Sequence, residues 1–303
     1  MKEMNLPQFL IEMLENQYGI ETSQKILNGY SKRRFSTFRV NTLKTEVSLI
    51  ENKLKDTGID YKNITWSKEA FVVKNEFKKQ IEQMDIYEKG EIYFQSLSSM
   101  LPPIILQPRQ GEDILDMAAA PGGKTTQIAA ITQNKSNITA CEMNQIRAER
   151  LNYNIEKQGA KSVYVMKTDS RKIDDFFSFD RILLDAPCSG SGTLNLEDDN
   201  LQKRFTKKLI DKSVSAQLAL LKKAIKILKT EREMVYSTCS ILEEENEAII
   251  RKVLQSEKVE IVPIHFEGME ELPLLPTKID GTLCVMTNEL YEGFFIAKIK
   301  KIK

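Results

Sequence analysis

The sequence has one histidine, His265, and four cysteines, Cys141, Cys188, Cys239 and Cys284, none of them in a CxxC pair. That scarcity argues against a zinc site, whose ligands come from these two residue types at close spacing. It also argues against a disulfide framework. No apolar run approaches the ~18 residues of a membrane span, and no apolar segment of a signal peptide stands near the start. A cytoplasmic chain with no metal and no membrane partner is the expectation. Net charge is nearly absent as well, +1 at pH 7 from 44 Lys/Arg against 43 Asp/Glu. If such a chain meets nucleic acid, its basic surface has to be local. No internal repeat or low-complexity segment interrupts the sequence. At 303 residues, 41% hydrophobic and 29% charged, it reads as globular, with room for one large or two ordinary domains.

The stretch DMAAAPGGKT, residues 116–125, organises what is there. An apolar run at 114–117 reads as a buried strand, and a helical pattern follows the glycines. A strand, a tight loop and a helix make the unit in which α/β domains hold nucleotide-like ligands. Small side chains let the backbone approach a ligand, Gly122 and Gly123 open conformations closed to other residues, and the helix start offers free amides. A phosphate-binding loop needs glycine where Ala118 stands, so that reading fails. A nucleoside-binding loop needs an acid after the next strand to hold a ribose diol, and the run at 138–143 carries Glu142. A plain strand-to-helix turn is the bland alternative.

Apolar spacing predicts two short helices over 6–31, a strand at 38–44, a helix at 47–54 ended by Gly58, and a strand at 71–73. Trp66 reads as core. Lys32-Arg33-Arg34 reads as a solvated turn or, more sharply, as a phosphate contact. The turn Glu88-Lys89-Gly90 is the expected boundary between an N-terminal α+β domain, 1–90, and a larger domain, 91–303. In the latter, runs at 114–117, 138–143, 163–167 and 181–186 alternate with helical segments such as 145–157, which predicts a doubly wound, mostly parallel sheet. A long helix at 207–229 with a basic face, a strand at 234–238, an acidic helix start at 243–247 and a final strand at 293–300 complete the pattern. Lys203, Arg204, Lys207, Lys208 and Lys212 form its densest basic cluster.

Asp169, the tetrapeptide Asp185-Ala186-Pro187-Cys188 and the tetrapeptide Ser237-Thr238-Cys239-Ser240 all close predicted strands, at the end where open α/β sheets bind ligands. Free cysteine is usually a small buried hydrophobe, the reading for Cys141 and Cys284. Cys188 and Cys239, at strand ends in small-residue loops, read instead as reactive. The residues alone do not choose between them, because DNA cytosine methyltransferases attack with the cysteine of a PC pair.

Taken together, DMAAAPGGKT, ILLDAPCSGSG, YSTCS and EGFFIAKI resemble the Nop/Sun family of RNA cytosine-C5 methyltransferases, and FRVNTLK and YFQSLSSML resemble its N-terminal part. The resemblance runs through nearly the whole chain in the family's order. It implies a Rossmann-like fold dependent on S-adenosyl-L-methionine, an RNA substrate (ribosomal RNA favoured over transfer RNA) and a monomer. It implies that Cys239 attacks carbon 6 of cytosine and that Cys188 assists release. It gives the methionine end of the cofactor to Ala118, Ala119, Ala120, Pro121, Gly122, Gly123 and Lys124, the ribose to Glu142 and the adenine amine to Asp169. Asp185 would border the cofactor and face the cytosine, with Lys124 paired to it or to the base. One departure stands out: the family's arginine–proline element before EGFF is absent from residues 282–287. A silent RNA-binding assembly factor and a DNA methyltransferase are the competing readings. Both cysteines are present and no target-recognition segment follows the core, which favours the RNA enzyme.

Overall fold

The computed structural model describes residues 6–303. Helix α1 (Gln8–Tyr30) is broken at Gly19 (φ 78°, ψ 164°), so the two expected helical segments form one kinked element. Its apolar face, Leu10, Leu14, Ile26 and Tyr30, is buried in the same core as Leu221, Ile250 and Phe295 near the other end of the chain. Then follow β1 (Ser36–Val40), α2 (Val47–Asp56), β2 (Tyr61–Ile64), β3 (Ser67–Val73), the short α3 (Lys78–Glu82) and α4 (Asp85–Glu88), and β4 (Ile92–Phe94). The strands make an antiparallel sheet in the order β2-β3-β1-β4. Phe38 faces Phe71 across it, their rings 5.3 Å apart, over Ile50, Leu54 and Ile81.

The strand expected at 38–44 stops at Val40, because Asn41 turns its amide to the carbonyls of Gly90 (2.9 Å) and Gln158 (2.8 Å). The small sheet also does not stop at residue 90, since its edge strand β4 lies beyond it. Gly90 itself (φ 69°) is pressed against the backbone at Lys157. A Cβ there would lie 2.1 Å from the Lys157 carbonyl oxygen, which excludes every other residue.

Next comes α5 (Leu97–Leu106), which the sequence reading left unassigned and which holds Pro102 and Pro103 in its interior. Pro103 cannot donate to the Ser99 carbonyl, and the Gln95 amide fills that role at 3.0 Å. The larger sheet follows: β5 (Asp113–Asp116), α6 (Gly123–Ile131), β6 (Asn137–Cys141), α7 (Gln145–Gln158), β7 (Val163–Met166), β8 (Phe179–Asp185), α8 (Leu201–Arg204), α9 (Lys207–Ile227), β9 (Leu228–Thr238), α10 (Glu247–Ser256), β10 (Val259–Ile261), β11 (Leu274–Leu275), β12 (Leu283–Val285) and β13 (Phe294–Lys301).

The order is β11-β12-β13-β9-β8-β5-β6-β7, with β10 also on β13. Strands β9, β8, β5, β6 and β7 are parallel, and β13 runs antiparallel to β9. Cores on the two faces sandwich the sheet, one with α5 and α6, the other with α9 and α10. This is the expected mostly parallel α/β sheet with a smaller N-terminal α+β unit. The order reverses at β5, a switch point where a crevice opens beyond the strand ends. Helix α9 ends two residues before the expected limit, and β9 starts at Leu228 rather than near Met234. Lys229, expected on the helix, is a strand residue paired with Asp180 at 2.9 Å.

Candidate active site

The loop after β5 is tied to both flanking strands: the Met117 amide donates to Leu183 (3.0 Å) and that of Ala119 to Cys141 (2.9 Å). The Ala120–Pro121 peptide is cis. Gly122 sits at φ 111°, and a Cβ on it would press on the Leu151 side chain at 3.0 Å. No acid occupies the first turn of α6, so its amides stay open to a ligand. Under the loop, the buried Asp116 accepts from the Thr125 hydroxyl at 2.7 Å. Burial pushes its carboxyl up to about 6, against the opposing pull of Thr125 and Lys124.

Lys124 lies 2.7 Å from an Asp185 oxygen and donates to the Ser99 hydroxyl at 2.6 Å. Burial, the largest single influence, would lower its proton affinity, but the charge and hydrogen bond of Asp185, with Asp116 and Cys239, together raise it. The other Asp185 oxygen accepts from Ser237 at 2.8 Å. A cavity of about 280 Å³ is lined by Asp116, Ala118, Ala119, Ala120, Pro121, Gly123, Lys124 and Asp185, joined by Tyr93, Gln95, Ser96, Ser99 and Glu292. Glu292 accepts from the Ser96 hydroxyl at 2.7 Å.

Strands β8 and β9 are neighbours with Asp185 opposite Ser237, so the loops that leave them run side by side. Cys188 Sγ and Cys239 Sγ are consequently 2.9 Å apart, both free thiols and both half-buried. The hydrogen bond with Cys239, followed by burial, holds Cys188 well above the usual thiol range. Cys141 and Cys284 are fully buried, which pushes each up to about 12 and makes them packing residues.

The cavity brings together the 118–124 loop and Asp185 but is lined by neither Glu142 nor Asp169. Both acids stand on the β6–β7 side of the loop. Glu142 is one residue past β6; one oxygen accepts from the Asn144 amide (2.8 Å) and the other meets the exposed Arg147 at 3.4 Å. Asp169 does not close a strand, since β7 ends at Met166. It caps a short turn and is gripped by Arg171 at 2.6 Å, a hydrogen bond that lowers its pKa.

Sequence reasoning passed over Gln95, Ser99 and Glu292, although a buried glutamine inside YFQSLSS was a usable signal. It read residues 243–247 only as an acidic helix start, whereas Glu245 is fully buried between the two cysteine loops.

Of the cations, Arg34 is turned inward to the Thr193 carbonyl (3.0 Å) and Thr287 (3.3 Å), so the phosphate-contact reading fails there, while Lys32 and Arg33 are exposed. Lys208 and Lys212 are exposed, Lys207 lies over the Phe9 ring, and Arg204 pairs with Asp198. Lys223 and Lys226 both pair with Asp175, which leaves the exposed Lys222 in the second half of α9 and an open basic face on its first half. Residues 282–287 contain β12, packed between β11 and β13.

The family model described as 16S rRNA methyltransferase RsmB/F matches residues 103–300, and its companion, the RsmF/B-like ferredoxin-like domain, matches residues 6–79. The chain belongs to the RsmB/F methyltransferase family. The resemblance to Nop/Sun proteins therefore stands, and the β-α-β-β-α-β order of the small sheet fits the ferredoxin-like description of the RsmB/F N-terminal domain. Among its relatives, the 25S rRNA (cytosine-C(5))-methyltransferase nop2 of Schizosaccharomyces pombe is 34% identical over 311 residues, covering 97% of this chain and 50% of that protein. A tRNA (cytosine(72)-C(5))-methyltransferase of Pyrococcus horikoshii is 35% identical over 256 residues, covering 81% and 62%. The chain thus spans between half and two thirds of the length of these two RsmB/F relatives. The crystal structure of a methyltransferase homolog protein from Pyrococcus horikoshii matches with a TM-score of 0.82 at 32% identity, covering 98% of this chain and all of that one.

Proposed function

We propose that this chain is an S-adenosyl-L-methionine-dependent RNA cytosine-C5 methyltransferase of the cytoplasm, acting on ribosomal RNA. The observation that carries this reading is the pair of thiols 2.9 Å apart, at neighbouring strand ends beside Asp185. Carbon 5 of cytosine is a poor nucleophile until a thiolate adds at carbon 6 and turns the ring into an enamine. Covalent catalysis of this kind splits one hard step into easier ones.

The residues around the loop suit the cofactor. The left-handed Gly122, the small side chains at 118–120 and the acid-free start of α6 leave room and amides for its methionine end. Glu142 keeps lone pairs for a ribose diol, since its second oxygen meets only an exposed arginine. Asp169 takes the adenine amine once the half-exposed Arg171 swings aside. When bound, S-adenosyl-L-methionine supplies an electrophilic methyl group.

Cys239 attacks carbon 6, and Asp185, fixed by Ser237 and Lys124, orients the cytosine through its exocyclic amine and ring nitrogen 3. Cys188 takes part in loss of the carbon 5 proton, which frees Cys239. The target base must be flipped out or lie in a loop. The N-terminal unit, 1–90, and the open first half of α9 form the RNA-facing surface.

A transfer RNA is the second reading for the substrate, favoured by the Pyrococcus relative. The test is methyl transfer from labelled cofactor to purified ribosomal and transfer RNA, with bisulfite sequencing of the product. Transfer to cytosine in transfer RNA alone would move the substrate. No transfer to cytosine in either pool, with the cofactor bound, would sink the enzyme reading.

A further inference from the structure

Among the buried carboxylates that take no part in this chemistry, one stands between the two thiol loops. Glu245, fully buried in the turn after β9, accepts from the residue that follows each cysteine. One of its oxygens takes the hydroxyls of both Ser189 (2.5 Å) and Ser240 (2.6 Å), and the other takes the Ser189 amide at 2.7 Å. From α9, the Gln217 amide reaches the same carboxylate (3.3 Å) and the carbonyl of Pro187, just before Cys188, at 3.0 Å. The Ser189 and Ser240 loops are otherwise joined by a bond between the Ser191 and Ser240 hydroxyls (2.8 Å) and by the Gly192 amide on the Cys239 carbonyl (2.9 Å). Glu245 is therefore the side chain common to both thiol loops, and it is bound more heavily to the loop of Cys188.

We propose that Glu245 is a positioning residue that sets the spacing of the two thiols and decides which of them keeps the proton. This rests on the reading of Cys239 as the attacking group. The charges around the pair are unequal. Glu245 lies toward Cys188 and disfavours a second negative charge there, and the buried, neutral phenol of Tyr236 from β9 donates to the Glu245 backbone carbonyl at 2.7 Å. Lys124 from α6 interacts with Cys239 instead, and shares its charge with Asp185 from β8. Asp116 and Glu292 line the cavity beyond these groups.

Loss of one proton from the pair to water leaves one thiol and one thiolate. The remaining proton stays on Cys188 Sγ, and the nucleophile is Cys239 Sγ. Once Cys239 is bonded to carbon its negative charge is gone, the main obstacle to ionising Cys188 disappears, and Cys188 loses its proton to water in time for the release step. A purely structural Glu245 would tie the loops without choosing between the sulfurs.

The test is site-resolved alkylation of the RNA-free protein with limiting iodoacetamide, quantified by mass spectrometry of the two cysteine peptides. Wild-type protein should label Cys239 about tenfold faster than Cys188, which corresponds to one unit of proton affinity. Glu245→Gln keeps hydrogen-bonding atoms but removes the charge, and should erase most of that ratio while thermal melting stays near wild type. An unchanged ratio in folded E245Q overturns the proposal. A second comparison does not depend on that variant folding: Cys188 in C239A should alkylate about tenfold more slowly than Cys239 in C188A, by the same one-unit difference. Equal or reversed rates there also overturn it. Failure of the underlying reading has a separate signature, a covalent RNA adduct in C239A and none in C188A.

Discussion

The 118–124 loop and the thiol loops sit at the same end of the same sheet, yet they are built differently. The 118–124 loop is marked by what its residues leave out: alanines, a cis proline peptide and a left-handed Gly122 keep side chains away and leave backbone facing the crevice. The loops after β8 and β9 work through side chains converging on one buried carboxylate. A site made of backbone tolerates the loss of one side chain gradually, while a site made of two sulfurs and their anchor fails at once.

The largest effect should therefore come from the thiols. Cys239→Ala is expected to lose at least about 10⁴-fold in turnover, the scale on which removal of a covalent nucleophile acts. It should form no RNA adduct on a denaturing gel and still bind cofactor. Cys188→Ala should methylate and then stall, leaving protein joined to methylated RNA. Substantial turnover in both variants would erase the contrast between the two regions.

Asp116 tests the loop from below. Its folded carboxyl, at about 6, lies above the ordinary value of 3.8. The native state therefore holds a proton that the unfolded chain has already released between those two values. Stability falls as pH rises through that window and stays reduced above it. Asp116→Asn should remove this penalty, so that the fall in stability from pH 4 to pH 7 is smaller than wild type by about 3 kcal/mol. Denaturant melts at the two pH values check it, and a parallel fall in both proteins would refute the buried charge.

A smaller loss is expected from Glu142→Ala, about 1–3 kcal/mol in cofactor affinity by calorimetry, the cost of leaving polar groups unpaired. Adduct formation should be untouched, because the thiol loops do not involve Glu142. Unaltered affinity would remove the ribose assignment. The slightest effect should come from Lys207→Glu with Lys208→Glu, which is expected to flatten the salt dependence of RNA binding by a slope of about 1–2 while leaving the chemistry alone. An unchanged slope would take α9 out of the RNA surface.

The sheet, the loop and the placement of Cys188 and Cys239 just past strand ends were legible because each is local: an apolar run, a glycine pair and a thiol after a strand all lie within a few residues. What escaped depends on partners far apart in sequence. Helix α5 carries Pro102 and Pro103 in its interior, and it is Gln95, from outside the helix, that satisfies the freed Ser99 carbonyl. Asn41 looked like a strand residue because its two acceptors, Gly90 and Gln158, belong to other elements. Glu245 looked like one more acid at a helix start, since nothing in Glu243-Glu244-Glu245 marks which carboxylate points inward. Arg34 looked like a free cation, and only the fold brings Thr193 to it.

The meeting of Gly192 and Gly293 carries a consequence for how the enzyme comes into being. A Cβ on Gly192 would lie 2.0 Å from the Gly293 carbonyl oxygen, and the Gly293 amide donates to Gly192 at 2.8 Å. The loop that leaves Cys188 is thus latched by the turn that opens β13, and Glu292 of that turn walls the cavity. A nascent chain halted before Tyr291 would carry the glycine-rich loop, both sulfurs and Glu245, but no latch and an open cavity. The wall of the cavity and the clamp on the Cys188 loop therefore form only once the turn before β13 has docked, however early the two strands that carry the sulfurs have paired.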